Sequence, residues 1–200
     1  MRIYKVREDY VLYLKSFDDK VASNKKERRP YIGIVLEINE FKYFAPLTSP
    51  KNKHKKMKNQ LDFIKLDNGN LGAINLNNMI PISNVALIEY DIDKELDISY
   101  RELLKDQLRF INSNSKNIKD KAKKLYIKVT EHNSFIKERC VNFKLLEEKS
   151  LLFDININVL EVAIDKVKGI KEIIIDAGIK AKEYNDKIKD KNKDGQDIER

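Results

Sequence analysis

The pattern of apolar and polar positions changes character halfway along the chain. The first half is built of short β-branched and aromatic runs broken by turn residues; the second repeats its apolar residues at helical spacing. Residues 2–6 alternate and predict a strand. Asp9 is placed as the N-cap of a helix reaching Phe17, with Val11 and Leu14 turned inward and Leu12 a third candidate for that face. Residues 18–29 are polar and predict a loop. Residues 31–38 and 41–47 predict two strands joined tightly at Asn39-Glu40. Residues 61–66 and 71–76 flank Asp67-Asn68-Gly69-Asn70, whose composition favours a second hairpin. Residues 79–82 and 85–90 complete the sheet. Pro81 there suits an edge or a bulge, because it has no N–H to donate.

The helical half opens at Ser99, where Ser99 and Glu102 have the spacing of a capping box and Tyr100, Leu104, Leu108 and Ile111 share a face. A second helix starts at Asn114 or Ser115, with Ile118, Ala122, Leu125 and Val129 on its inner stripe and most of its lysines off it. Residues 143–148 predict a short helix. Residues 158–189 predict another, whose Val159, Ala163, Val167, Ile170, Ile174 and Ala177 form a seam fit to dock on the core or on another subunit. Gly169 and Gly178 weaken it by about 1 kcal/mol each relative to alanine. Strands first and helices afterwards favour an α+β fold, an antiparallel sheet flanked by helices. The expected division is a domain over 1–150, a helical extension over 151–189 and a disordered tail over 190–200.

Composition narrows the class. The 200 residues carry 40 Lys and Arg against 32 Asp and Glu, a formal charge of +8. Such a balance favours association with an anionic partner, RNA above all, and has no bearing on fold. A single cysteine, Cys140, excludes an intramolecular disulfide framework and fits a reducing compartment. No apolar run reaches membrane-spanning length and no signal peptide opens the chain, so a cytoplasmic protein without a membrane partner is expected. Two histidines and one cysteine do not make a typical zinc site, and no metal or other cofactor is expected. A Gly-rich phosphate loop is absent, which disfavours nucleotide chemistry.

Candidate chemistry concentrates in residues 43–57. An apolar strand runs to Pro46, two hydroxyls follow at Thr48 and Ser49, and Lys51, Lys53, His54, Lys55, Lys56 and Lys58 arrive without an acid among them. Hydroxyls and clustered ammonium groups at the end of a rigid strand suit gripping and cleaving a phosphodiester; a solvated lysine loop between strands is the plain alternative. His54 is the one nearby group that titrates near neutrality unaided, which makes it a candidate for proton transfer. Tyr31, Tyr43 and Phe44 could stack splayed bases or fill the core.

These same segments resemble a known family. The residues that carry the likeness are Phe17-Asp18-Asp19-Lys20-Val21, Arg29-Pro30-Tyr31-Ile32-Gly33-Ile34-Val35, Phe44-Ala45-Pro46-Leu47-Thr48-Ser49-Pro50-Lys51 with His54, and Gly72-Ala73-Ile74-Asn75-Leu76-Asn77-Asn78-Met79-Ile80-Pro81. Lys121-Ala122-Lys123-Lys124-Leu125-Tyr126 and Phe143-Lys144-Leu145-Leu146-Glu147-Glu148-Lys149 continue it, so about residues 1–150 are covered. All are similar to the ToxN/AbiQ toxins of type III toxin–antitoxin and phage abortive-infection systems, the AbiQ form more than ToxN. The resemblance implies a strongly twisted antiparallel sheet with a Kid/MazF-like core. It implies a metal-independent endoribonuclease that cuts cellular or phage RNA, often at A-rich sites, to 2′,3′-cyclic phosphate ends. It also implies neutralisation by an antitoxin RNA of pseudoknot repeats and RNA-bridged oligomers.

By that resemblance Thr48, Ser49 and Lys51 match the active-site hydroxyls and lysine. Arg29 falls where ToxN-like members carry a lysine; it keeps the charge but cannot give up a proton near neutral pH, so it suits a phosphate clamp. The expected catalytic set is Thr48, Ser49, Lys51, Arg29 and His54. The expected RNA-binding set is Tyr31, Lys53, Lys55, Lys56, Lys58, Asn77, Asn78, Lys121 and Lys124. The two asparagines also have the composition of a structural turn. A non-catalytic module that binds structured RNA is the alternative function.

Overall fold

The computed structural model describes residues 1–194, with side chains as far as Lys180 except those of residues 156, 158, 160–163, 177 and 178. Residues 195–200, most of the expected tail, lie outside the described residues. The chain divides into two units, residues 1–154 and a second beginning at Ile155.

The first unit is an antiparallel sheet with helices against it. Its strands are β1 (Arg2–Val6), β2 (Tyr31–Ile38), β3 (Phe41–Thr48), β4 (Phe63–Lys65), β5 (Ala73–Asn75), β6 (Ile80–Pro81) and β7 (Leu87–Glu89). Their order is β4-β5-β3-β2-β1-β7, with β6 also paired to β3. β3 is the hub. One edge pairs with β2, while β6 takes the other edge at Tyr43 and Phe44 and β5 takes it at Leu47 and Thr48. Hence β3 is buried from Tyr43 to Leu47 and, at its C-terminal end, emerges at Thr48. β4 and β5 pair over three residues each, shorter than the six their apolar runs suggest, because a compact turn occupies residues 66–72.

The helices are α1 (Glu8–Phe17), α2 (Asn52–Lys56), α3 (Ile98–Ser113), α4 (Ser115–Thr130) and α5 (Phe143–Asp194). Three differ from the sequence pattern. α1 begins a residue before Asp9, whose carboxylate pairs with Arg7 at 2.5 Å instead of capping. α3 is capped by Asp97, which accepts from the Tyr100 N–H at 3.0 Å, so Ser99 falls inside the first turn. α5 is one helix where two were expected; residues 149–157 contain no proline or glycine to break it. α2 turns part of the expected lysine loop into a single helical turn.

α4 packs over β2, and a polar knot sits in the core beneath it. The Glu147 carboxylate accepts from the Tyr43 hydroxyl at 2.8 Å and the Tyr126 hydroxyl at 2.7 Å, while Lys144 Nζ donates to its other oxygen at 3.1 Å. Burial, and then the adjacent carboxylate, push the Tyr43 hydroxyl pKa up strongly. Tyr126 and Phe143 stack at 5.7 Å beside this group. Close by, where Pro81 of β6 pairs with Tyr43, the Tyr10 hydroxyl donates to the Pro81 carbonyl at 2.6 Å.

In the second unit the helix continues to Asp194. Of the expected seam, Val167, Ile170 and Ile174 are each more than half exposed. Lys180 pairs with Asp176 at 2.7 Å along the same helix.

Candidate active site

The end of β3 gathers the hydroxyls and cations. Thr48 is its last paired residue, opposite Ala73 of β5, and its Oγ1 donates to the Ala73 carbonyl at 3.3 Å. Ser49, Pro50 and Lys51 then stand exposed. Lys51 is extended, with φ −141° and ψ 148°, and serves as the N-cap of α2; its carbonyl accepts from the His54 N–H at 2.8 Å. Across the sheet, Tyr31 pairs with Pro46, and the Leu47 N–H donates to the Pro30 carbonyl at 2.9 Å. Arg29 and Thr48 are therefore the next residues along the two strands. The Arg29 side chain is half-buried, and its Nε donates to the Ser23 carbonyl at 2.5 Å. The loop before it bends sharply: Lys25, Lys26 and Glu27 all lie in the left-handed region, with φ of 56°, 57° and 60°.

Two glycines of the 66–72 turn support this corner from behind. A β-carbon on Gly72 (φ +90°) would lie 1.9 Å from the Thr48 carbonyl oxygen and 3.0 Å from the Ser49 carbonyl carbon. One on Gly69 (φ +97°) would lie 2.9 Å from the backbone carbon of His54. Only glycine allows both the left-handed backbone and so close an approach. From α3, Gln107 reaches the same place, its Nε2 donating to the Leu71 carbonyl at 2.7 Å and the Thr48 carbonyl at 3.4 Å.

His54 points away from this surface. The residue is 2 % exposed, its ring lies 5.8 Å from that of Phe63, and Nδ1 has no hydrogen-bond partner among the described residues. Burial, and then the ammonium groups of Lys53 and Lys51, hold its pKa below the ordinary 6.5. Lys53, Lys55 and Lys56 occupy the exposed sides of α2, with Lys58 exposed just after it.

The other sequence-predicted residues lie elsewhere. The Tyr31 ring is 1 % exposed inside the core, out of reach of a stacking base, and its hydroxyl has no hydrogen-bond partner among the described residues. Burial pushes that hydroxyl's pKa up, and the nearby Arg29 charge opposes the shift. Tyr43 and Phe44 are core residues as well. Asn77 and Asn78 are half-buried and spend their amides on backbone, Asn77 Nδ2 donating to the Arg139 carbonyl at 3.1 Å and Asn78 Nδ2 to the Lys20 carbonyl at 2.7 Å. They stitch loops together. Lys121 and Lys124 sit on α4; Lys124 lines a groove with Lys128, His132 and the exposed ring of Phe135. Gly69, Gly72 and Gln107 were not in the predicted set. Each acts through an approach of distant segments that local pattern does not record.

A family model described as Toxin ToxN, type III toxin–antitoxin system, matches residues 2–150. The endoribonuclease ToxN of Pectobacterium atrosepticum is 40 % identical over 159 residues, which cover 74 % of this chain and 91 % of that protein. The endoribonuclease AbiQ of Lactococcus lactis subsp. lactis is 32 % identical over 166 residues, covering 76 % and 89 %. Among solved structures, AbiQ, a lactococcal anti-phage endoribonuclease of a type III toxin–antitoxin system, superposes with a TM-score of 0.68 at 31 % identity, over 76 % of this chain and 97 % of that one. A structure from a bacterial antiviral system regulated by a processed non-coding RNA gives 0.65 at 36 % identity, over 75 % and 97 %. Fold and matched residues thus define the protein component of a type III toxin–antitoxin system. More particularly, the chain belongs to the ToxN toxin family.

No helix among the described residues is long and apolar enough to cross a membrane. No group of three or more His, Cys, Asp or Glu among them is placed to hold a metal ion.

Proposed function

We propose that the end of β3 is the catalytic centre of an endoribonuclease toxin. The observation that carries this reading is the placement of Thr48, Ser49 and Lys51 where a buried strand first meets solvent, with Arg29 next along the neighbouring strand. An RNA phosphodiester laid there meets two hydroxyls and two cations. Cleavage follows when the ribose 2′-oxygen loses its proton and attacks phosphorus, the bond to the 5′-oxygen breaks, and that oxygen takes up a proton. The products are a 2′,3′-cyclic phosphate and a 5′-hydroxyl, formed without a metal ion.

Lys51 and Arg29 face the charge that builds on the phosphoryl oxygens. Such fixed charge is usually the largest catalytic contribution. Thr48 and Ser49 hold the phosphate and orient the 2′-hydroxyl. His54, buried under α2, supports the Lys51 backbone in this reading and does not move the proton. The lysines of α2 extend the cationic surface along the RNA, and those of α4 offer a second. We further infer a twisted sheet of the Kid and MazF kind, A-rich target sites in cellular or phage RNA, and a role in abortive infection. Its restraint is an antitoxin RNA of pseudoknot repeats, with which the toxin assembles into RNA-bridged oligomers; in support, this chain is similar, with a TM-score of 0.69 at 31 % identity, to a structure described with selective toxin inhibition by a non-coding RNA pseudoknot.

The test is cleavage of an A-rich RNA by the purified protein in excess EDTA. The expected result is cutting to cyclic phosphate ends, lost in Ser49→Ala and Lys51→Ala and lost again when a 2′-deoxyribose stands at the cut site. Full activity in both variants would remove the site. Intact RNA after long incubation, with steeply salt-dependent binding, would instead identify a non-catalytic RNA-binding protein.

A further inference from the structure

We infer that Gln107 is a positioning residue for the Thr48–Ser49 corner, acting on catalysis through the peptide group that joins those two residues. The inference rests on the proposed active site and deepens it.

Gln107 lies on the buried face of α3 with Leu104 and Ile111, at 2 % exposure. A buried side-chain amide is costly unless its donors are used. Both Nε2 contacts are to backbone carbonyls from distant segments, Thr48 at 3.4 Å and Leu71 at 2.7 Å. The Thr48 carbonyl belongs to the same planar peptide as the Ser49 N–H. Holding that oxygen fixes the plane, and with it the directions in which the Thr48 and Ser49 side chains leave the backbone. The Leu71 carbonyl likewise belongs to the peptide entering Gly72, the residue pressed closest against the Thr48 oxygen. One amide therefore pins two crossing peptides together.

The pin stands where the ladder stops. The pairing of β3 with β5 ends at Thr48 and Ala73, so no strand bond holds Ser49. The Thr48 Oγ1 contact to the Ala73 carbonyl secures one side of this last rung, and Gln107 secures its carbonyl on the other. A group misplaced by about 1 Å can lose about 100-fold in rate. An apolar side chain at position 107 would leave the Thr48–Ser49 peptide free to turn by that much.

The experiment compares full-length wild type, Gln107→Met, Gln107→Glu and Ser49→Ala on one defined RNA. Methionine keeps the length and helix propensity of glutamine and removes the donors. A carboxylate cannot donate to the two carbonyls, whereas a protonated carboxyl can donate to one. Gln107→Met is expected to cut about 100-fold more slowly at saturating RNA with KM unchanged, while remaining folded at the assay temperature. Gln107→Glu is expected to recover activity as the pH falls, relative to wild type, where Gln107→Met does not. A purely structural glutamine would show neither the kcat-only loss nor the acid recovery. Wild-type kcat in a folded Gln107→Met, with Ser49→Ala inactive, would overturn the inference and leave the active site standing. Should Gln107→Met not fold, a Gln107→Glu profile parallel to wild type at every pH would overturn it equally. Wild type that cuts no RNA would overturn the active site itself.

Discussion

Gly72 lies so close to Thr48 that a β-carbon on it would stand 1.9 Å from the Thr48 carbonyl oxygen. That contact is with backbone at the end of a ladder, so the neighbour cannot swing aside as a side chain would. Gly72→Ala also forces alanine to φ +90°, which costs about 1–3 kcal/mol before any clash is counted. Thermal denaturation of Gly72→Ala should therefore show a clear loss of stability, and RNA cutting should fall further than the folded fraction does, because the Thr48–Ser49 corner has been pushed outward. A Gly72→Ala protein as stable and as active as wild type would contradict the packing of β5 against β3.

The tyrosine–carboxylate knot makes a different prediction. Tyr43 and Tyr126 are buried and both give their hydroxyl protons to Glu147. Glu147→Leu takes away the acceptor the two hydroxyls share, leaving Tyr43 only the Phe143 carbonyl at 3.5 Å, and should cost about 3 kcal/mol. In a background already carrying Tyr43→Phe and Tyr126→Phe, the same substitution should cost much less, because no donor remains to be orphaned. Urea unfolding of the four proteins measures the difference, and equal costs in the two backgrounds would exclude the coupling.

Particular residues show what local pattern could and could not reveal. The strands and the amphipathic helices follow from periodicity, since Ile118, Ala122, Leu125 and Val129 are buried as their spacing requires. The hydroxyl–lysine corner was legible as well, because it lies within one short segment. What escaped depends on pairs far apart in the chain. Gln107 meets Thr48 across 59 positions and Leu71 across 36. Pattern leaves Tyr31 open between stacking and core, and makes His54 a candidate for proton transfer in a basic stretch; one begins the central pairing with β3 and the other is the inward position of a single helical turn. Charge pattern says which segment is solvated and nothing about which member of it points in.

His54 gives the pH dependence a sign. Its folded pKa lies below 6.5 through burial and the adjacent lysine charges, so the unfolded chain takes up the proton first as the pH falls. The stability contributed by neutral His54 is complete above about 6.5 and declines as the pH drops below it toward the folded value. His54→Phe should flatten the melting-temperature profile below about pH 6.5. In the supporting role assigned here, the variant should also keep its cutting rate within a few-fold; a loss of several hundred-fold in a stable His54→Phe would assign the proton transfer to this imidazole.

The division near Ile155 predicts where the chain can be shortened. Phe153 packs edge-on against Tyr10 at 4.9 Å, and Asp154 accepts from the Ser83 hydroxyl at 2.6 Å. A chain ending after Leu160 keeps both contacts and should melt and cut RNA like the full chain. A chain ending after Lys149 loses Phe153 and Ser150 from the core, at a cost of about 3–5 kcal/mol for the aromatic ring alone. Loss of cutting in the chain ending after Leu160, with stability intact, would show that the second unit takes part in the reaction.

The α2 lysines should act on RNA as charges and not as chemistry. Lys53, Lys55 and Lys56 are exposed, and no ion pair to an acid is formed by any of them among the described residues. Each one that contacts a phosphate releases counterions on binding, so replacing it with alanine should weaken affinity at low salt and reduce the salt slope by about one, with little dependence on RNA sequence. Lys51→Ala should differ in kind, lowering the rate of cutting at saturating RNA far more than it lowers affinity, because in the proposed site its charge faces the reacting phosphate. Titrations of Ser49→Ala with and without the α2 substitutions, at several salt concentrations, read affinity without cleavage, and single-turnover cutting by Lys51→Ala at saturating RNA reads the rate. An unchanged slope after all three α2 lysines are removed would move the RNA to another face of the molecule.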